Sequence, residues 1–531
     1  MTCRFVPLFA AAGLIVAALW SQPAAFAANC EGLTALSLPN TTITLAKSVP
    51  AGSFTPPAGQ PINNLPAFCE VHGVLKPTEA SMINFEVWLP ESNWNGKFEG
   101  VGNGGLAGTI GYGPMGTALR SGFATASTDT GHISKEPATW LENTERLIDY
   151  SYRGLHLTTV NAKSIADAFY GQAAKYSYYI GCSTGGKQGL MEAQRFPADY
   201  DGIVAGDAAN FWTHQMMSEV WNGVVTGTPE TNLPREKLEI VQTAALAACD
   251  ALDGAVDGLV SDPMRCHFDV KKLQCKGADG PNCLTAAQVG AVEKIYTGPV
   301  TKSGKKLYAG MYPGGELGWG KDGGQMVINR GNTSGVSSYD FWRYAFFHNP
   351  EWDFRSMDFE RDIALADEKL GPLTNATNPN LGEFQKLGHK MIYYHGAADP
   401  LIPAQNGIDY YETVVATQGK GASGLERTQQ FYRAFLVPGM YHCAGGPGAT
   451  AFGGNAPAPS NQVDADHDLI SSVSRWVEKG TAPDKIIATK YVDNKRENGV
   501  AFQRPLCAYP LVARYKGSGD MKDASNFTCS K

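Results

Sequence analysis

The chain has 531 residues, of which 43% are hydrophobic and 18% charged, and its formal net charge is −7. This length exceeds what one core needs, so we expect one large domain with an insertion or two to three domains. The composition is that of a globular protein, and the acidic balance provides no basic surface for a nucleic-acid partner.

The first 27 residues have the pattern of a secretory signal peptide. Arg4 precedes an apolar run at 5–20, and the tripeptide AFA at 25–27 is a typical cleavage site. A retained membrane anchor is the alternative, but it needs about 20 apolar residues, and Pro7 and the small residues at the exit argue against it. The pattern therefore predicts cleavage near Ala27 and a secreted or periplasmic mature protein with no membrane partner.

Export changes the interpretation of the eleven cysteines. Cleavage removes Cys3 and leaves an even number for an oxidising compartment, so we expect disulfides. Many connectivities are possible, and proximity in sequence suggests four pairs, namely Cys30–Cys69, Cys249–Cys266, Cys275–Cys283 and Cys507–Cys529. Cys182 and Cys443 then remain, far apart in the chain.

Strand and helix patterns alternate between residues 83 and 209. The segments at 83–90, 96–101, 121–128, 175–181 and 201–207 have strand patterns, and those at 146–171 and 184–196 have helical spacing. This alternation is typical of a mostly parallel sheet with helices on both faces.

The rhythm breaks at 210–377, which holds four cysteines, many glycines and an aromatic run at 339–354. It resumes with strand patterns at 389–396 and 430–437 and a helix at 468–480. We therefore predict a sheet domain at 28–209 and 378–531 with a lid domain at 210–377. We expect the aromatic run to contribute to the lid core and to the wall of a pocket for a planar group.

The stretch GCSTG at 181–185 fits the pattern G-x-S-x-G, with a strand before it and a helix after it. That context is the nucleophile elbow of α/β-hydrolases, in which a sharp turn presents the serine at the top of the sheet. We therefore predict an α/β-hydrolase fold with a large inserted lid, and Ser183 as the nucleophile.

A serine nucleophile needs a base and an orienting acid, which in this fold follow in the chain order Ser, Asp, His. Asp399 comes just after one predicted strand and His442 just after the next. Both therefore belong to the sheet edge that carries Ser183. In this arrangement His442 takes the serine proton, and Asp399 holds its tautomer and stabilises the imidazolium.

Three other residues are weaker alternatives. His395 lies at the turn after its strand, where a structural role is expected, and His467 lies in an acidic helix start, where exposure is expected. Asp207, at the end of the strand at 201–207, is a rival for the orienting acid.

Cys182 precedes Ser183 and Cys443 follows His442. If serine and histidine are in contact, their neighbours come within the Cα separation of roughly 4.4–6.8 Å that a disulfide needs. The rival readings are that Cys182 is the nucleophile or a free buried thiol. An even cysteine count in an exported chain favours the disulfide.

The stretch GCSTGG, with ADP and YHC downstream, resembles the CS-D-HC motif of the tannase and feruloyl esterase family, which includes the mono(2-hydroxyethyl) terephthalate hydrolase. The resemblance extends from the Cys30 region to Cys529. It implies ester hydrolysis through an acyl-enzyme, a lid that sets specificity, and all five cysteine pairs considered above.

The turn VGNGGLAG at 101–108 is the candidate for one half of an oxyanion hole, because glycine lets a backbone N–H approach a developing oxyanion. Gly104 or Gly105 would supply that N–H, and Thr184, the residue after the nucleophile, would supply the other. The alternative is a tight turn only.

The lid segment CDALDGAVDGLVSDP at 249–263 spaces acidic residues around glycines and resembles a calcium loop, although it is not an EF-hand. Carboxylates this close repel one another unless a cation or protons neutralise them. The resemblance implies Ca²⁺ bound by Asp250, Asp253 and Asp257 and by the backbone carbonyls of Ala255 and Leu259, in a structural role. A solvated acidic turn is the alternative.

The sequence thus predicts a carboxylic ester hydrolase whose substrate is a small aromatic ester, free or attached to a polysaccharide or polyphenol. A feruloyl ester is the first expectation, a galloyl ester the second and a terephthalate monoester the third. The alternative from another class is a secreted polyphenol- or carbohydrate-binding protein on the same fold.

Overall fold

The computed structural model describes residues 1–2, 29–57, 59–320, 336–453 and 463–531. The predicted signal peptide, with Cys3 and the cleavage site near Ala27, lies outside the described residues. Within these ranges every helix is too short or too polar to span a lipid bilayer.

The strands of the described chain divide into one large sheet and three small antiparallel pairs. In chain order they are β1 (Thr41–Val49), β2 (Gly52–Phe54), β3 (Ile62–Leu65), β4 (Phe68–Leu75), β5 (Ile83–Pro90), β6 (Lys97–Val101), β7 (Ala124–Thr128), β8 (Tyr176–Cys182), β9 (Gly202–Gly206), β10 (Lys390–Gly396), β11 (Tyr432–Val437), β12 (Lys485–Tyr491), β13 (Val500–Cys507), β14 (Val512–Tyr515) and β15 (Phe527–Ser530).

The large sheet has the strand order β1-β4-β5-β7-β6-β8-β9-β10-β11. Its first four strands pair antiparallel, and the run from β7 to β11 is parallel. This is the mixed sheet of an α/β-hydrolase, as predicted. Because the strands from β7 to β11 run in one direction, their carboxyl ends meet at a single edge of the sheet.

Helices cover the sheet and form the region between β9 and β10. They are α1 (Tyr112–Arg120), α2 (Thr144–Ile148), α3 (Gly154–Tyr170), α4 (Thr184–Arg195), α5 (Trp212–Thr226), α6 (Arg235–Cys249), α7 (Ala286–Thr297), α8 (Ser337–Asp340), α9 (Arg361–Lys369), α10 (Gly371–Thr374), α11 (Gly382–Lys386), α12 (Ala404–Gln418), α13 (Gly421–Thr428) and α14 (Leu469–Lys479). A π-helical segment, Asp149–Arg153, joins α2 to α3, so the predicted helix at 146–171 contains one widened turn.

Local sequence explains the ends of these elements. Asp468 caps the start of α14 with a side chain that accepts the backbone N–H of Ser471, and Gly480, in the left-handed conformation, caps its end. The strand β8 is rich in tyrosine and is almost wholly buried, as expected for a parallel strand covered on both faces.

Two buried clusters lie on the faces of the large sheet, and a third joins the lid to the sheet domain. In the third cluster Tyr339, Phe341 and Trp342 of the aromatic run are fully buried, as predicted for a lid core. They pack with Tyr150 and Trp212. The exact lid boundaries at 209/210 and 377/378 stay a prediction.

Among the described residues there are five disulfides, and they are the five pairs suggested by the sequence and its resemblance: Cys30–Cys69, Cys182–Cys443, Cys249–Cys266, Cys275–Cys283 and Cys507–Cys529. Four of them close loops of at most 39 residues, whereas Cys182–Cys443 spans 261. That long-range bond lies at the carboxyl edge of the parallel strands.

Candidate active site

Ser183 occupies a sharp turn between β8 and α4. Its backbone has φ 66° and ψ −121°, a conformation that non-glycine residues rarely adopt. The flanking glycines permit the turn, since a Cβ on Gly181 would lie 2.6 Å from the carbonyl carbon of Gly185, and one on Gly185 would lie 2.9 Å from the carbonyl oxygen of Asn103. The geometry is that of the predicted nucleophile elbow.

Asp399 and His442 form a hydrogen-bonded pair. The imidazole Nδ1 of His442 lies 2.8 Å from Oδ2 of Asp399, and the other carboxylate oxygen accepts the backbone N–H groups of Leu401 and Ile402 at 2.7 and 3.0 Å. These bonds fix the carboxylate at the carboxyl end of β10 and hold the imidazole with its Nε2 available.

Burial and charge act in opposite directions on this pair. Burial alone would raise the pKa of Asp399, but the charges and hydrogen bonds of His442 and His395 outweigh it and hold that pKa well below its usual range. Burial would lower the pKa of His442, but the charge and hydrogen bond of Asp399 outweigh it and raise that pKa. The pair therefore suits a base that is protonated during the reaction.

The disulfide between Cys182 and Cys443, with a Cα–Cα distance of 5.9 Å, joins the elbow to the histidine loop. It makes neighbours of the residues that carry the hydroxyl and the imidazole. The Ser183 hydroxyl forms no hydrogen bond within the described ranges. The predicted hydrogen bond between this hydroxyl and His442 is therefore not formed in this structure. Such bonds often tighten only when substrate binds.

Asp207, the rival acid, bonds to backbone N–H groups rather than to the imidazole of His442, and its Oδ1 lies 3.6 Å from Nε2 of His395. Its two carboxylate oxygens accept the N–H groups of Gly396 and Cys443 at 2.6 and 2.7 Å. Burial, with a further contribution from the charge of Asp399, raises its pKa to about 6. Asp207 thus connects the acid loop to the histidine loop, a role that the sequence did not indicate.

The other two candidate histidines do not bond to Ser183, although Nε2 of His395 lies 3.3 Å from Oδ2 of Asp399 and 3.6 Å from Oδ1 of Asp207. His395 lies inside β10 rather than at the turn after it, and it is fully buried, with Nδ1 2.5 Å from the Tyr393 hydroxyl and Nε2 3.0 Å from the Ile402 carbonyl oxygen. His467 bonds to Asp464 at 2.8 Å and is only partly exposed, so the expected exposure was overstated. Both contacts fit structural roles.

The glycine-rich turn lies against the start of α4. The Thr184 hydroxyl donates to the carbonyl oxygen of Gly105 at 2.6 Å, and Gly185 N–H donates to that of Asn103 at 2.8 Å. The N–H groups of Thr184, Gly104 and Gly105 donate to no other described residue, and Gly105 has φ 58°. The predicted oxyanion donors are therefore adjacent and unengaged.

Two polar side chains that the sequence did not single out fix this turn. Asn103 N–H donates to Gln188 Oε1 at 3.1 Å, and the Gln188 amide donates back to Asn103 Oδ1 at 3.0 Å. The Asn103 amide also donates to the Thr128 carbonyl oxygen at 2.7 Å. An asparagine inside a glycine-rich turn is the signal that could have identified Asn103.

The acidic lid loop folds around its own carboxylates. Asp250 accepts the N–H groups of Asp257 and Gly258 at 3.0 and 2.9 Å, and Asp253 accepts that of Ala255 at 3.0 Å. The Cys249–Cys266 disulfide closes the loop.

Negative charge in this loop is only partly compensated. One oxygen of Asp257 pairs with Arg504, whereas the other is buried without a hydrogen-bond partner. Burial, then the charge of Asp257, raises the pKa of Asp253. Ala255 and Leu259 are buried beside these groups. An unpaired buried carboxylate oxygen in a set of hard oxygen donors fits a calcium ion.

Comparison with known proteins gives one consistent result. The family model described as tannase and feruloyl esterase matches residues 69–530. An uncharacterized esterase of Xanthomonas campestris pv. campestris is 40% identical over 95% of this chain and 92% of its own length. A probable feruloyl esterase B-1 of Neosartorya fischeri is 34% identical over 97% of this chain and 98% of its own length.

Solved structures agree with this result. Feruloyl esterase B from Aspergillus oryzae is 32% identical, with a TM-score of 0.86 over 94% of this chain and 99% of that one. Tannin acyl hydrolase from Aspergillus niger, at 22% identity, has a TM-score of 0.74 over 93% of this chain and 92% of that one, which shows a shared fold.

Proposed function

The chain belongs to the tannase and feruloyl esterase family of carboxylic ester hydrolases, and from this premise we propose that it is a secreted serine esterase that releases an aromatic acid through an acyl-enzyme. The observation that carries the mechanism is the hydrogen bond between Asp399 and His442, on a loop that a disulfide links to the elbow of Ser183.

In this mechanism Ser183 Oγ attacks the ester carbonyl carbon while His442 Nε2 takes the hydroxyl proton. Asp399 stabilises the imidazolium, and the N–H groups of Thr184 and of Gly104 or Gly105 stabilise the oxyanion. The ester C–O bond then breaks, and the alcohol leaves with the proton from His442. Water then attacks the acyl carbon while His442 Nε2 takes its proton. The bond between that carbon and Ser183 Oγ breaks, the serine regains the proton from His442, and the acid leaves.

The feruloyl ester is the preferred substrate class, because relatives similar over nearly the whole chain carry the name feruloyl esterase B. A galloyl ester is the second candidate, supported by the family description, and a terephthalate monoester the third. We propose that the planar acyl group is presented on a small ester or on a polysaccharide or polyphenol.

Two further proposals concern the whole chain. Five disulfides suit an oxidising compartment, so we place the mature protein in the periplasm or outside the cell. We also propose that Asp250, Asp253 and Asp257, with the carbonyls of Ala255 and Leu259, hold a calcium ion that neutralises the loop. The ion would stabilise the lid and take no part in the chemistry.

Turnover of methyl ferulate, methyl gallate and a terephthalate monoester tests the function and ranks the substrates. We expect Ser183→Ala to lower kcat by at least about 10⁴-fold, because the nucleophile is lost. Ser164→Ala, on the exposed side of α3, is the control and should leave kcat unchanged. No turnover of any of the three esters, with Ser183→Ala indistinguishable from the parent in ligand binding, would favour the binding-protein alternative.

A further inference from the structure

Lys187 is a buried lysine, one helical turn after Ser183, that has no anionic partner among the described residues. It lies on α4, its side chain is fully buried, and its Nζ has no hydrogen-bond partner in the part of the chain that the structure describes. Burying an ammonium group away from water is costly unless its surroundings compensate. A non-polar side chain of similar length would occupy the same space without that cost.

Two aromatic rings supply the compensation. The Nζ of Lys187 lies 4.5 Å from the ring centroid of Tyr150 and 4.3 Å from that of Trp212. Both distances suit cation–π attraction, which is stronger in a desolvated site. The amine therefore lies between the π-helical segment 149–153 and the first residue of the lid helix α5.

Tyr150, one of the two rings that contact Lys187, also bonds to the predicted oxyanion turn. The hydroxyl of Tyr150 donates to the carbonyl oxygen of Gly105 at 3.0 Å, and the same oxygen accepts the Thr184 hydroxyl. Lys187 thus packs against the ring whose hydroxyl fixes the Gly105 peptide. It also lies on the helix whose first N–H belongs to Thr184.

The charged groups on the packed elements are engaged elsewhere. On the π-helical segment Asp149 pairs with Arg153, and on α5 His214 pairs with Asp367 while Glu219 accepts from Gln215. On α4 Glu192 interacts with Asp199, and Arg195 donates to the Pro372 carbonyl oxygen. Beyond β9, Asp207 accepts two backbone N–H groups. Burial is the cause that lowers the pKa of Lys187 to about 7. The phenol of Tyr150 stays protonated, because burial raises its pKa.

We propose that Lys187 is a positioning residue for ester hydrolysis, whose ammonium holds Tyr150 and the oxyanion turn in place and adds a positive charge behind the developing oxyanion. The proposal rests on the proposed esterase function. A fixed charge in a water-excluded site stabilises an oxyanion more than the same charge in water does. The neutral amine provides neither the cation–π attraction nor the charge.

The test compares the parent with Lys187→Met across pH 5.5–9 on whichever ester the parent hydrolyses. Methionine keeps the aliphatic length and removes the charge. We expect kcat to fall about ten-fold below pH 7 with KM little changed, and the difference from the parent to vanish by about pH 9, where the parent amine is neutral. The melting temperature should stay equal or rise, because a buried charge is removed.

Lys97→Met is the matched control, since Lys97 is a partly buried lysine that pairs with Glu478 and lies over the ring of Tyr178. It begins β6, at the sheet edge opposite Ser183, so kcat should keep the parental pH profile. A Lys187→Met enzyme with parental kcat, or with a loss that is constant across pH, would overturn the proposal.

A readout independent of activity separates this proposal from the esterase assignment. NMR titration of the lysine-labelled parent should show one amine that titrates near neutral pH and is absent from Lys187→Met. If the amine that Lys187→Met lacks is neutral across the whole range of pH 5.5–9, the proposal fails even when the parent is an active esterase. If the parent hydrolyses no ester, the assignment of function fails, whatever the titration shows.

Discussion

Two buried aspartates lie within one network at the carboxyl edge of the sheet, and their different hydrogen-bond partners indicate different roles. Asp399 bonds to the imidazole of His442, whereas Asp207 bonds to the backbone of Gly396 and Cys443. Only the first can set which ring nitrogen of the histidine carries a proton. The contact partner, rather than burial, therefore identifies the orienting acid.

Asp399→Asn should lower kcat by about 10³–10⁴-fold, because the amide donates to Nδ1 and leaves the proton on Nε2, which faces the serine. The residual activity should reach its plateau at lower pH. Burial lowers the pKa of His442, and Asp399 raises it. Loss of the Asp399 charge therefore lowers this pKa and shifts the acid limb of the pH–activity profile to lower pH. The pH dependence of kcat/KM measures both effects.

Asp207→Asn is the comparison for that experiment. An amide can accept only one of the two backbone N–H groups, so stability should fall by about 1–3 kcal/mol. The imidazole keeps its Asp399 partner, so kcat should fall far less than in Asp399→Asn. A larger loss of kcat in Asp207→Asn would make Asp207 the orienting acid.

At the scale of elements, the disulfide Cys182–Cys443 fixes β8 and its elbow against the loop after β11. We expect the double variant Cys182→Ala/Cys443→Ala to lose roughly 3–5 kcal/mol of unfolding free energy, because the bond closes a very long loop. The histidine loop would also gain freedom, so kcat should fall about 10- to 100-fold. Denaturant unfolding and steady-state kinetics measure the two losses.

The matched control is Cys275→Ala/Cys283→Ala, a disulfide that spans eight residues within the lid. Its short loop predicts a smaller loss of roughly 2–3 kcal/mol, and kcat should not change. Equal losses of kcat in both double variants would mean that the long-range disulfide stabilises the molecule without positioning the histidine.

The parallel part of the sheet could be predicted because each strand is a short buried run followed by a turn or helix. Ser183, Asp399 and His442 each follow such a strand, and parallel strands bring their carboxyl ends to one edge. Strands β1–β4 and β12–β15 were not predicted. In β1, for example, most side chains are exposed or half-buried, so the apolar alternation is weak.

Lys187 and Asp207 show where sequence reasoning ends at this site. Nothing in GGKQG indicates that the lysine is buried, because Tyr150 and Trp212, which surround it, come from other parts of the chain. Asp207 could be placed at the sheet edge, but its acceptance of the Cys443 N–H depends on a loop more than 200 residues away. Both roles follow from tertiary contacts.

At the scale of the whole molecule, the acidic lid loop joins the helical region to the C-terminal strands. Asp257 pairs with Arg504 on β13, and Arg514 on β14 donates to the Leu252 carbonyl oxygen and to Asp262. Ala255 packs in a small apolar cluster with residues of β13–β15. Anything that expands this loop therefore also loosens the C-terminal segment.

Removal of calcium by EDTA should lower the melting temperature by about 3 °C for an ion present at 100 times its Kd, which corresponds to about 2.7 kcal/mol. Ca²⁺ should restore it and Mg²⁺ should not, because a loop of carboxylates and carbonyls suits the larger ion. Asp257→Asn should have a lower melting temperature than the parent, and EDTA should not lower it further. Asp262→Asn, which weakens the contacts of this residue with Arg514 and Arg265, should lower the melting temperature, and EDTA should lower it further. A parent protein whose melting temperature does not respond to EDTA would leave the loop as a solvated acidic turn, with arginines such as Arg504 and Arg514 as its counter-charges.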